Sequence, residues 1–185
     1  MKKINIMLIF AFAMLLGVNL SMAQNRPFPY ETGVPDHTVA PITQQDTAFV
    51  IAATTGGMAE IALGKLALEK SANSKIKAFA NMMIKDHGKA NEELKQLASA
   101  EQISLPVSLG GVELQTYDRL ATKKAAEFDS TYVEQMVKDH INTIDLFQQA
   151  SKTVTDAAIK QFIEKTLPVL HEHLEHVKDI QQEVQ

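Results

Sequence analysis

Four long segments of this chain carry apolar residues at alternating four- and three-residue steps, and each stripe is interrupted near its middle by one ionisable side chain. The first stripe reads Phe49, Ala53, Gly56, Glu60, Leu63, Ala67, and the second Ile76, Ala80, Met83, His87, Ala90, Leu94, Leu97. The third reads Val133, Val137, His140, Ile144, Phe147, Ser151, and the fourth Ile159, Ile163, Thr166, Leu170, His173, Val177, Ile180. That spacing keeps one face of an α-helix apolar along its whole length. Such a helix is stable only when its stripe is covered, so four stripes in one short chain predict that they bury one another.

Helix start and stop signals divide the segments. Thr43 reads as the N-cap of a first helix running to about Lys70, stopped at Ser71-Ala72-Asn73, and Ser74 opens a second running to about Ala100. A loop with Leu105-Pro106 and Gly110-Gly111 follows, then a short amphipathic stretch from Val112 to about Lys124. Asp129 or Ser130 is expected to cap a third long helix reaching Ser151, and Thr155 a fourth ending near Gln182. Strand signals are lacking: there is no sustained alternation and no Asn-Gly or Asp-Gly turn between β-branched runs. The expected fold is all-α, an antiparallel four-helix bundle with a short extra helix in the crossover between helices two and three. Gly56, Gly57 and Gly64 inside the first helix each cost about 1 kcal/mol relative to alanine. Either a neighbouring backbone comes close there, or the helix kinks and opens a cavity.

Upstream of the helices the pattern is different. Met1-Lys2-Lys3, an apolar run from Ile4 to Leu20 and Ser21-Met22-Ala23 have the form of a secretory leader cleaved after Ala23. The run is also long enough for an uncleaved N-terminal anchor. Residues 24–42 hold four of the six prolines and read as a flexible tether, leaving 43–185 as the helical domain. The expected destination is the periplasm or the medium, with no integral membrane segment after leader removal. Without any cysteine there is no site for lipid attachment, no disulfide and no thiolate metal ligand. Losing Lys2 and Lys3 lowers the 18 basic residues to 16 against 22 acidic ones, a balance of −6. That argues against nucleic acid or anionic lipid as a partner and leaves an envelope protein or a second copy of the chain.

Height along the helices is testable by hairpin symmetry. Glu60 and His87 have their midpoint at 73.5, beside the turn expected at 71–73, and His140 and His173 theirs at 156.5, beside the one expected at 152–155. All four therefore belong to one layer. A carboxylate and three imidazoles withdrawn from water need partners or must be neutral. One transition-metal ion, zinc, iron, manganese or copper, satisfies them through Glu60, His87, His140 and His173; calcium and magnesium prefer all-oxygen cages. A metal-free polar network that fixes helix register satisfies them too. Asp86 and Asp139 sit about 100° around the helix from neighbouring histidines and suit solvent, or a supporting contact, better than direct ligation. Met58, Met82, Met83 and Met136 read as core filler, and His171 and His176 as a wet face. The pentapeptide Met83 to His87 recurs, with one conservative change, as Met136 to His140. No phosphate-binding glycine loop, serine elbow or cysteine nucleophile is present.

The segments Phe49 to Ala53, Gly56-Gly57-Met58-Ala59-Glu60-Ile61, Gly64 to Ala67, Phe79 to His87, Phe128-Asp129 to His140, and Leu167-Pro168 to Leu174 carry a resemblance. Over roughly 45–180 the chain resembles an exported bacterial family known as domain-of-unknown-function family 4142. The resemblance implies a ferritin-like bundle and no established activity. Ferroxidase bundles use Glu-x-x-His, whereas positions three before His87, His140 and His173 are Ile84, Val137 and Leu170. Iron oxidation or storage is therefore not expected. Three functions remain: binding of one transition-metal ion, a non-metal envelope or stress protein with a buried polar layer, and a metal-dependent oxidoreductase with an open coordination position.

Overall fold

Asp46 shows how this sequence starts its helices. Thr43 Oγ1 accepts from the Asp46 backbone N–H at 3.1 Å and the Asp46 carboxylate accepts from the Thr43 N–H at 2.9 Å, a reciprocal capping box. In the computed structural model, which describes residues 41–184 apart from the side chains of 125 and 126, this box opens α1 (Gln44–Lys70). Asn73 then caps α2 (Ser74–Ala100), accepting from Lys75 N–H at 2.9 Å. The short α3 (Gly111–Ala121) and the long α4 (Ala125–Thr153) and α5 (Ala157–Val184) follow, and no strand occurs among the described residues. The expected leader, 1–23, and residues 24–40 of the expected tether lie outside them.

The first two helices begin and end where their caps predict, but the last two differ. α4 starts at Ala125, upstream of the expected cap at Asp129 or Ser130. The Phe128 ring is completely buried and stacks on Tyr132 one turn on, at 5.7 Å between centroids, so apolar burial extends the helix past its polar cap signals. Thr155 does not cap α5. Asp156 takes that role, accepting from Ile159 N–H at 2.9 Å, while Thr155 is turned toward α1.

That turn explains a fully buried carboxylate. Asp46 Oδ1 accepts from Thr155 N–H at 2.8 Å, and Asp46 Oδ2 from Thr155 Oγ1–H at 2.9 Å and Thr43 Oγ1–H at 2.6 Å. Burial alone would raise its pKa, but the hydrogen bonds from Thr43 and Thr155 outweigh burial and hold it at about 2. One side chain thus ties the start of α1 to the α4–α5 link.

The four long helices pack in a closed circuit, α1 on α2, α2 on α5, α5 on α4 and α4 on α1, with α3 against α1 and α4. Gly64 serves close approach: a Cβ there would stand 3.0 Å from the Ala80 carbonyl oxygen of α2. Gly56 meets no atom within 4 Å of such a Cβ and borders a cleft instead. Close approach thus accounts for Gly64, while Gly56 borders open space within a continuous helix. By length and composition α1 alone among the described helices could cross a membrane, contrary to the expectation that no later segment could. Its apolar side chains Phe49, Val50, Leu63 and Leu66 lie in the protein core. The buried apolar side chains form one core, in which Phe49, Phe147 and Phe162 cluster with centroids 4.9–6.5 Å apart and to which Phe79, Phe128 and Met136 also belong. A layer of buried polar side chains interrupts it.

Candidate metal centre

Each long helix delivers one group to that layer: Glu60 from α1, His87 from α2, His140 from α4 and His173 from α5, respectively 2%, 7%, 0% and 2% exposed. The stripes account for their burial, because the neighbours one turn away, such as Leu63, Met83, Met136 and Leu170, are themselves core residues. The three rings pack pairwise with centroids 5.5–5.8 Å apart. One nitrogen from each histidine lies within 4.8 Å of one from each of the others.

Each histidine uses one ring nitrogen for orientation. His87 Nδ1 is 3.0 Å from Glu60 Oε2, His140 Nδ1 is 2.8 Å from the Met136 carbonyl oxygen, and His173 Nε2 is 3.2 Å from Asp86 Oδ2. Glu60 Oε1 also stands 3.5 Å from His140 Nδ1. A carbonyl can only accept, so His140 carries its proton on Nδ1 and keeps a bare lone pair on Nε2. The remaining nitrogens, His87 Nε2, His140 Nε2 and His173 Nδ1, are buried with no hydrogen-bond partner in the protein. Native interiors rarely leave such atoms unpaired, and here three occur in one layer.

Electrostatics keep the rings neutral. Burial, followed by the proximity of His140 and His173, pushes His87 down to about 3, and burial pushes His140 down to about 4 against the Met136 hydrogen bond. His173 is lowered chiefly by burial, although its hydrogen bond to Asp86 works the other way. Burial and then Asp139 raise Glu60 well above the carboxylate range. Neutral imidazoles are the form in which histidine ligates metals.

The other candidates are sorted by the same geometry. Asp86 supports His173, as its position around the helix permits, whereas Asp139 accepts from Gln135 Nε2–H at 2.8 Å and lines a cleft beside Glu60. His171 and His176 are exposed, with the His176 ring against Phe79 at 5.7 Å, while Met83 and Met136 fill the core. Asp46 escaped the sequence reading, although Thr43-x-x-Asp46 is a recognisable capping signal. So did the Tyr132 hydroxyl, which is buried without a partner and raised by burial and by Glu60.

The family described as a domain of unknown function, DUF4142, matches residues 33–180. The chain belongs to that family. Other folds resemble this DUF4142 protein at low identity. A DUF305 fragment from Deinococcus radiodurans superposes with a TM-score of 0.68 at 10% identity, over 77% of this chain and 99% of that one. CopM in a Cu(I)-bound form gives 0.63 at 18% identity, over 75% and 96%, and CopM in its apo form gives 0.62 at 19% identity, over 75% and 96%. These likenesses establish a shared all-helical fold for the DUF4142 chain. No curated protein matches it.

Proposed function

We propose that this DUF4142 protein binds one transition-metal ion through His87 Nε2, His140 Nε2 and His173 Nδ1. In this reading Glu60 and Asp86 are the carboxylates that fix tautomer and ring orientation, the arrangement that supports histidine ligands in metal sites. The observation that carries it is the set of three buried, neutral imidazole nitrogens without protein partners in one layer. A purely register-setting polar layer leaves those three nitrogens without a protein partner, which favours a guest that satisfies them.

The scaffold in this reading is an antiparallel, ferritin-like four-helix bundle, supported by the closed circuit of helix contacts and the short links at 71–73 and 154–156. Three nitrogen donors suit copper or zinc, and copper is the first ion to test because a protein of similar fold, CopM, is known in Cu(I)-bound form. Export through the leader at 1–23 completes the proposal.

Elemental analysis of untagged protein, beside a His87→Ala, His140→Ala double variant, tests it. Near-stoichiometric copper or zinc in the first and little in the second is expected, with a rise in Tm on metal addition to the first alone. No metal in either, and no shift in Tm, rejects metal binding in favour of a structural polar layer.

A further inference from the structure

Two clefts open between the helices that carry the polar layer, one of them lined by Glu60. One, of about 420 Å³, lies beneath α3 against α1 and α4; the other, of about 290 Å³, lies between α2 and α5. A third, small pocket of about 20 Å³ is bordered by Glu60 and His87. That is room for one water-sized or ion-sized guest.

The walls differ in chemistry. Glu60 and Thr143 border both the cleft beneath α3 and the small pocket, so an oxygen-lined wall separates them. Glu60 Oε1 is buried without a hydrogen-bond partner, 3.5 Å from His140 Nδ1. The wall shared between the α2–α5 cleft and the same pocket is Ala90, Phe162 and Thr166, mostly apolar. A cation losing its water needs polar donor atoms along the way, which the first wall offers and the second largely does not. The outer part of the α3 cleft adds Glu113 and Asp139. α3 is held over it by a relay in which Arg119 Nη2–H donates to Gln135 Oε1 at 2.6 Å and Gln135 Nε2–H donates to Asp139 Oδ1 at 2.8 Å. Gly56, one helical turn before Glu60, leaves the space open.

We infer that the cleft beneath α3 is the route by which a metal cation reaches the histidines, with Glu60 as the relay ligand at its inner wall. This rests on the metal-binding reading above. Glu60 has two duties: one oxygen orients His87, and the other faces the incoming ion. α3 is then the cover of the route.

Uptake and release of Cu(I) and Zn(II), each followed with a chromophoric chelator, test the route in the full protein, Gly56→Leu and Val169→Phe. Gly56→Leu fills the α3 cleft, and Val169→Phe the other. A blocked route slows entry and exit together, so Gly56→Leu should reduce both rates about tenfold or more with Kd nearly unchanged, while Val169→Phe leaves them alone. Lys138→Glu, an exposed change at the cleft, should speed uptake severalfold at low ionic strength without filling any space. Wild-type rates in both Gly56→Leu and Lys138→Glu, or slowing in Val169→Phe alone, overturn the route but leave the metal site standing. Failure of the unmodified protein to take up either ion overturns both.

Discussion

The Glu60 carboxylate meets the His87 imidazole across the α1–α2 hairpin, Oε2 to Nδ1 at 3.0 Å, and this contact points the other ring nitrogen of His87 away from Glu60. If Glu60 supports the ligand and is not one itself, Glu60→Gln should bind copper or zinc roughly 10–100-fold more weakly, as for other carboxylates that orient metal-bound histidines. His87→Ala should lose binding altogether. Competition titration against a chelator measures both, and a loss in Glu60→Gln as complete as in His87→Ala makes Glu60 a ligand.

Asp46 offers a test of stability independent of metal. Its folded pKa of about 2 lies below the ordinary aspartate value of 3.8, so the unfolded chain binds more protons between them. The stabilisation is present above pH ~3.8 and lost as pH falls through ~2, on the order of 2 kcal/mol. Asp46→Asn should lower stability at pH 7 by that order, and the gap from wild type should close below pH 3. Urea unfolding at a series of pH values shows whether it does.

The polar layer has its own pH profile. His87 and His140, held at about 3 and about 4, stay neutral in the fold while their unfolded forms protonate below the ordinary histidine value of 6.5. Stability should therefore fall on acidification below ~6.5, by about 1.4 kcal/mol per pH unit for each histidine. Glu60, raised in the fold, acts oppositely: above the ordinary glutamate value of 4.5 its contribution to stability falls as pH rises toward the folded pKa. Two histidines outweigh one carboxylate in the acid range, so apo-protein stability should peak near pH ~6.5. A plateau extending to pH 5 in urea titrations contradicts this.

The glycines of α1 predict effects of opposite sign. Gly56→Ala meets no neighbour and should stabilise the helix by about 0.5–1 kcal/mol. Gly64→Ala places a methyl 3.0 Å from the Ala80 carbonyl and 3.1 Å from Ile84 Cγ1. Helix backbone yields poorly, so a net destabilisation of about 1 kcal/mol is expected. Thermal melts of the two variants separate close packing from an open cleft.

Most of the helix pattern was legible because helix periodicity and caps are local. Thr43 and Asn73 bond donors only two or three residues away, and the stripes needed only a period to be read. Hairpin symmetry likewise placed Glu60 with His87 and His140 with His173 in one layer. The start of α4 was not legible, since it depends on Phe128 finding a buried surface remote in sequence.

The sequence by itself determined which four ionisable groups form the mid-helix layer, since heptad-like spacing assigns each residue to a helix face whatever the packing partner. Only tertiary structure decided what each atom does there. Hydrogen bonds extend a few ångströms and have direction, so ring rotation settles which nitrogen meets Glu60, Met136 or Asp86 and which is left for a ligand. The same holds for Asp46, whose capping box is written in four consecutive residues while its bonds to Thr155 join segments more than a hundred residues apart.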